Sequence, residues 1–321
     1  MRAINHSDSN CFVSIEDTPT AKTYISVLVL RDLPSLSISV SDIYGTEFET
    51  FSYKSLRTGD EFGIASESVE PNRAIVELSV NDNRSSFARR VLRLEGADNF
   101  RDFGGYQPPD RVQMPLRRYF RSENLGAIAP EGFMELKSLG IERIFDLRRA
   151  DEIALAPTRL PATVNIELIN VPISGQIFGF DDALVGAFSK AIDQITIANM
   201  VDMYDFMLDN YLDELVAVAA QILEPARGAS LVHCTAGKDR TGLVAALVQL
   251  AHGVTKQDIY HDYLLSNRLR TPGRIATLRP QFERRGLDIS KFKHYFSAPF
   301  QALDESFDRL TEIAAEHLVA K

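Results

Sequence analysis

The residues whose types could do chemistry together stand in one stretch: His233-Cys234-Thr235-Ala236-Gly237-Lys238-Asp239-Arg240-Thr241-Gly242. A cysteine is followed six residues later by an arginine, between a short apolar run at 229–233 and a long one at 242–253. That context predicts strand, loop and helix in succession. In such a loop the backbone N–H groups of residues 235–239 can turn inward as an anion-binding nest. The helix beginning near Thr241 adds unpaired N–H groups and the positive end of its dipole. Gly237 permits a backbone conformation that a side chain would obstruct.

A cysteine at the mouth of such a nest is expected to ionise readily, and its thiolate is a nucleophile. Arg240 can hold two phosphate oxygens in a fork. Lys238 adds a second positive charge, and the Thr241 hydroxyl can hydrogen-bond the sulfur. The chemistry is attack of Cys234 on the phosphorus of a phosphate monoester, followed by hydrolysis of the phosphocysteine. The phosphate-binding set is then Thr235, Ala236, Gly237, Lys238, Asp239, Arg240 and Thr241. His233 precedes the nucleophile on the strand and reads as a buried residue that orients the loop. The loop supplies the positive charge that a metal would otherwise provide, so no metal and no cofactor is expected.

Cleaving the ester also needs an acid for the departing oxygen. Asp146 follows the predicted strand 141–145, at the carboxyl edge where the phosphate loop also lies. Arg148, two residues on, could pair with it instead. Asp239 lies inside the loop itself. Both carboxylates remain candidates. Asp193, Asp202, Asp205 and Asp209 fall on helix-spaced polar positions and read as a solvated face.

The string resembles the signature loop, HCxxGKDR, of the bacterial tyrosine/serine protein phosphatase family. Asn99-Phe100-Arg101-Asp102-Phe103-Gly104-Gly105-Tyr106 resembles that family's NFRDLGGY motif, with Phe103 in place of Leu. Tyr119-Phe120-Arg121-Ser122 resembles its RS segment, and Phe145-Asp146-Leu147-Arg148 its DLR motif, although Arg149 replaces the commoner Ser. Asp262-Tyr263-Leu264-Leu265-Ser266-Asn267 resembles its helix after the loop. The likeness covers about residues 90–270 and extends toward the C-terminal helices. It implies a protein-tyrosine phosphatase, with dual specificity or phosphoinositide hydrolysis as alternatives, and it points to Asp239 as catalytically important. The NFRD stretch has two readings: a Gly104-Gly105 turn capped by Asp102, or Arg101 and Asp102 at the mouth of the loop. Residues 173–191 read either as an amphipathic lid or as a core-packing helix.

Three other classes are weighed against this. A nucleotide-binding Gly-x-x-x-x-Gly-Lys-Ser/Thr loop fails twice, because Val232 replaces its first Gly and Asp239 its hydroxyl residue. A sulfurtransferase of the rhodanese type also uses a loop cysteine, but its loop does not typically read GKDRTG. A non-enzymatic phosphoryl-binding module would keep Arg240 and lose the nucleophile, which is present here.

Around this site the sequence changes character. Residues 1–90 carry a short β-branched and aromatic run at 24–30 and alternating runs at 35–40 and 73–80, separated by turn signals, and predict a β-rich, sandwich-like module. From 91 to 321 strands alternate with helical stretches: a helix at 130–139 stopped by Gly140, strands at 141–147, 168–171 and 229–233, and helical spacing across 181–223. Further helices are expected at 255–269, 271–285 and 299–319. The prediction is an α/β phosphatase domain with a twisted, largely parallel sheet flanked by helices.

With 321 residues, 45% hydrophobic and 25% charged, the chain reads as ordinary and globular. Its net charge of −9 argues against nucleic acid as a partner and confines the positive field to the site. The expected partner is a phosphorylated protein, phosphotyrosine first, or a phosphoinositide. Cys11 and Cys234 are the only cysteines, so no disulfide framework is expected, and Cys11 reads as a buried hydrophobe. No apolar run is long enough to span a bilayer and no secretion signal is read at the N-terminus, so a cytoplasmic location is expected, with specialised export left open.

Overall fold

A computed structural model describes residues 6–7, 10–18, 21–81, 83–175, 195–284 and 286–319. The chain divides into two compact units: Met1–Arg93 with Pro115–Arg118, and Leu94–Met114 with Tyr119–Lys321.

The first unit contains strands β1 (His6–Ser7), β2 (Cys11–Thr18), β3 (Ala21–Val29), β4 (Leu33–Ser41), β5 (Glu47–Leu56), β6 (Glu61–Ser66), β7 (Ile75–Val80) and β8 (Asn83–Ala88). They form two four-stranded antiparallel sheets, in the orders β1-β2-β3-β6 and β5-β4-β7-β8. On β4 the alternation decides the faces: Leu36, Ile38 and Val40 are buried, whereas Ser35, Ser37 and Ser39 face outward. Val13, Ile25 and Val27 from one sheet share a core with Ile38, Val76 and Leu78 from the other, so the module is a β-sandwich. Cys11 is buried in that core.

The second unit begins with β9 (Arg101–Asp102) and β10 (Tyr119–Ser122), then α1 (Pro130–Ser138), β11 (Ile141–Asp146), α2 (Ala150–Leu155), β12 (Glu167–Asn170), α3 (Ile197–Asn210) and α4 (Leu212–Leu223). After β13 (Ala229–His233) come α5 (Asp239–Ala251), α6 (Lys256–Leu264), α7 (Ser266–Leu269), α8 (Thr271–Arg284), a 3-10 turn at Ile289–Phe292, α9 (Lys293–Phe296), α10 (Phe300–Glu305) and α11 (Phe307–His317). The sheet order is β12-β11-β13-β10-β9, parallel except for the β9–β10 pair. Strand β13 lies centrally and is buried at every position, which is why its sequence is an unbroken small and apolar run ending in His233.

Register aligns the carboxyl ends: Ser122 and Asp146 both stand opposite His233, and Asn170 stands opposite Asp146. Helix α5 is apolar on all sides because α4 and α11 pack against it. It starts at Asp239, so Asp239 and Arg240 already belong to its first turn, upstream of the start expected near Thr241. Two expected helices are interrupted: 255–269 at Leu265, and 299–319 at Ser306. Among the described residues no helix is long and apolar enough to cross a membrane.

Candidate active site

The loop from Cys234 to Lys238 is gripped by its carbonyl oxygens. His233 Nδ1 lies 3.1 Å from the Cys234 oxygen; a carbonyl only accepts, so this nitrogen carries the ring proton. The Thr235 oxygen accepts from the backbone N–H and side chain of Asn124, both at 3.2 Å. Asn99 Nδ2 donates to Ala236 at 3.2 Å and to Gly237 at 3.0 Å. Arg121 Nη2 donates to Gly237 at 2.9 Å and Lys238 at 3.2 Å. Among the described residues all peptide bonds are trans, and across a planar trans peptide C=O and N–H point in opposite directions. Holding these five carbonyls outward therefore turns the N–H groups of residues 235–239 to the other side of the loop, as an anion nest requires. Gly237 has φ +62°, and a Cβ there would lie 2.0 Å from the Ser122 oxygen, so only glycine fits.

The grip rests on a buried charge network that the sequence reading did not foresee. Asp262 on α6 accepts from Arg101 Nε at 3.0 Å and from Arg121 Nη1 at 2.7 Å. Arg101 also donates to the Asn99 backbone oxygen, and Ser266 bonds both Asn99 and Arg101. Burial pulls the Arg101 guanidinium down to about 10, against the pull of Asp262, so it stays charged near neutrality. The NFRD stretch thus acts from behind the loop. Asp102 caps its turn by accepting from Gly104 N–H at 2.8 Å, as one of the two readings had it. The sequence marked Arg101, Arg121 and Asp262 only through the three motif stretches that contain them; only the fold brings them together.

Cys234 is buried and free, at the end of the central strand. Arg240 forms a bidentate pair with Glu152 on α2 (Nη2–Oε1 2.7 Å, Nη1–Oε2 2.8 Å) and also donates to the backbone oxygens of Leu147 and Ile173. Glu152 was missed because it lies in an ordinary polar helical stretch. Burial opposes its ionisation, but the hydrogen bonds and charge of Arg240, with Thr235 and the Arg149 N–H, hold its carboxyl down at about 2. Thr235 Oγ1 donates to the same carboxylate at 2.5 Å. His233 is buried, which lowers its pKa despite Asp146 3.8 Å away, so the ring is neutral.

The structure separates the two candidate acids. Asp146 is buried in a pair with Arg148, whose Nη2 and Nε reach it at 2.7 and 2.8 Å, and it also accepts the Arg148 backbone N–H. Asp239 is partly exposed, accepts from Tyr204 Oη at 3.0 Å and lies 3.3 Å from Lys238 Nζ. The Lys238 ammonium, expected at the phosphate, donates instead to the backbone oxygens of Tyr295 and Ser297. The reason is geometric: its side chain runs to the turn after α9, leaving its N–H for the nest. Thr241 Oγ1 is buried with no hydrogen-bond partner among the described residues, so the expected bond to sulfur is not formed in this state. Asp202, Asp205 and Asp209 are exposed on α3, and Asp209 pairs with Arg309. Asp193 and most of the 173–191 segment lie outside the described residues.

A buried cysteine and a clamped arginine thus stand on one strand–loop–helix turn, at the carboxyl edge of a parallel sheet, an arrangement of the kind a cysteine-dependent phosphatase needs. The sequence profile of the tyrosine phosphatase family matches residues 92–316, and the chain belongs to that family. It is 32% identical over 196 residues to the triple specificity protein phosphatase PtpB of Mycobacterium tuberculosis, covering 55% of this chain and 69% of that one. It is 29% identical over 153 residues to a tyrosine-protein phosphatase of Nostoc commune, covering 48% of this chain and 49% of that one. The match thus spans about half the length of the Nostoc protein.

Proposed function

We propose that this protein is a protein-tyrosine phosphatase that hydrolyses phosphate monoesters through a phosphocysteine on Cys234. The observation that carries the reading is the outward restraint of the loop carbonyls from Cys234 to Lys238 around a single cysteine and arginine. Donors fixed before the substrate arrives stabilise the equatorial oxygens of the transferring phosphoryl group without reorganising. Arg240, fixed in place by Glu152, adds its guanidinium charge to them.

In the first step the Cys234 sulfur forms a bond to phosphorus as the bond to the leaving oxygen breaks. Asp239 gives that oxygen its proton. In the second step water attacks phosphorus, Asp239 takes a proton from it, and the S–P electron pair returns to sulfur. The buried Thr241 hydroxyl is available to the sulfur at that moment. Asp239 is favoured over Asp146 because Asp146 is sealed in its pair with Arg148.

Phosphotyrosine in proteins is the first substrate, with phosphoserine second. Engagement of the Lys238 ammonium by the Tyr295 and Ser297 carbonyls weighs against a polyphosphorylated lipid head group as the preferred one. The test is hydrolysis of p-nitrophenyl phosphate with EDTA present, for wild type and Cys234→Ser, followed by phosphotyrosine, phosphoserine and phosphoinositide substrates in parallel. Turnover lost in Cys234→Ser while inorganic phosphate still binds supports the mechanism. Absent turnover by folded wild type would favour a binding module, and turnover independent of Cys234 would overturn the mechanism.

A further inference from the structure

Two buried tyrosines from different helices end on the candidate acid. Tyr204 on α3 places its hydroxyl 3.0 Å from Asp239 Oδ1, and Tyr263 on α6 places its own hydroxyl 2.6 Å from that of Tyr204. Both rings are sealed from solvent within the apolar core around α5. Packing alone would be met by phenylalanine, since each buried phenol adds a polar group that must find a partner. Here the phenols satisfy one another and direct what remains at a single carboxylate oxygen. As Tyr204 donates to Asp239, its oxygen is left to accept from Tyr263, so the order of the chain is Tyr263 to Tyr204 to Asp239.

We infer that Tyr204 is a positioning residue for the acid–base step, fixing the Asp239 carboxyl so that Oδ2, not Oδ1, exchanges the proton with the leaving oxygen and the attacking water. The inference rests on the reading of Asp239 as the acid. A carboxyl on the first turn of a helix has a broad terminal torsion. Donation to Oδ1 narrows that torsion and occupies one oxygen; the other, Oδ2, lies 3.3 Å from the Lys238 ammonium and is the one that reaches the reacting atoms. Tyr263 in turn fixes the Tyr204 hydroxyl. Burial, and then the charge of Asp239, raise the Tyr204 phenol well above its usual 10, so it remains a donor throughout the working pH range. Helices α3 and α6 thereby contribute to the chemistry without touching the phosphate.

The test uses the ratio of kcat/KM for p-nitrophenyl phosphate to that for phenyl phosphate. An electron-poor phenolate departs with little help, whereas phenolate itself needs the acid, so the ratio reads proton delivery and is unmoved by a general loss of active protein. Asp239→Asn should raise the ratio about a hundredfold, the scale of general acid catalysis. Tyr204→Phe, which keeps the ring, should raise it about tenfold, and should add nothing in the Asp239→Asn background. Tyr263→Phe should move it in the same direction by a smaller factor. A ratio unchanged in Tyr204→Phe, or an effect of the same size with and without Asp239, would overturn the positioning role while leaving Asp239 as the acid. A ratio unchanged in Asp239→Asn would overturn the acid assignment and the positioning role with it. If Tyr204→Phe does not bind inorganic phosphate, Tyr263→Phe decides, and an unchanged ratio there overturns the role.

Discussion

Glu152 and Arg240, 88 positions apart, meet in a buried bidentate pair, and the same carboxylate accepts the Thr235 hydroxyl. One carboxylate thus fixes both the arginine that would grip the phosphoryl group and the residue after the nucleophile. A guanidinium without such a partner would sample many rotamers, and ordering it on binding would cost free energy. Glu152→Gln keeps the shape and removes the charge. It should lower kcat/KM about ten- to a hundredfold, measured on p-nitrophenyl phosphate, with Cys234 reactivity toward iodoacetamide retained.

The same pair sets a pH dependence. The Glu152 carboxyl is held at about 2 in the folded chain, below its ordinary 4.5. A group with a depressed pKa stabilises the fold fully above its unfolded value and loses that contribution as pH falls through the folded one. The stability difference between wild type and Glu152→Gln should therefore be flat from pH 7 to about pH 5 and shrink between about pH 4.5 and about pH 2. Urea melts across that range measure it. A difference that grew on acidification would contradict the pairing.

Asp262 carries two buried guanidiniums. Replacing it with Ala leaves Arg101 and Arg121 without their shared carboxylate, and breaking a buried pair costs about 3–5 kcal/mol. Asp262→Ala should unfold at markedly lower urea concentration than wild type. Its surviving folded fraction should turn over slowly, because Arg121 also holds the Gly237 and Lys238 carbonyls.

Gly237→Ala meets two obstacles at once: a left-handed backbone and an overlap with the Ser122 carbonyl. Strained residues of this kind cost about 1–3 kcal/mol each before any overlap is counted. The loop should deform, with turnover reduced by at least about a hundredfold, since the oxyanion-type donors move with it. Near-wild-type kcat in Gly237→Ala would show that the loop tolerates another shape.

The two aspartates should fail differently. Asp146→Asn leaves buried Arg148 without a charge partner and should reduce stability by about 3–5 kcal/mol. Asp239→Asn, at a partly exposed position, should leave the melting midpoint nearly unchanged and reduce turnover about 10²- to 10⁴-fold, the range of general acid–base catalysis. Thermal melts beside initial rates separate the two.

Some of this was determined by the sequence alone. The cysteine and arginine six residues apart, the glycine between them and the flanking apolar runs are local, and local spacing fixes a strand, a tight loop and a helix N-terminus. The alternation of Ser with Leu, Ile and Val at 35–40 likewise fixes which face of a strand is buried. What only the tertiary structure decided is which distant polar groups meet. Glu152 and Tyr204 sit in stretches whose local pattern is that of any helix, Asp262 and Tyr263 in the helix that the family resemblance marked, and the contacts of all four, across 35 to 161 positions, come from the fold. Asp146 and Asp239 were both candidates by type and place, and the family resemblance pointed to Asp239. Burial beside Arg148 set one apart, and partial exposure beside Tyr204 the other. Lys238 was a charge near a phosphate until its ammonium was found on the carbonyls of Tyr295 and Ser297. Backbone preference acts over a few residues, whereas desolvation and charge pairing depend on what the whole fold brings within a few ångströms.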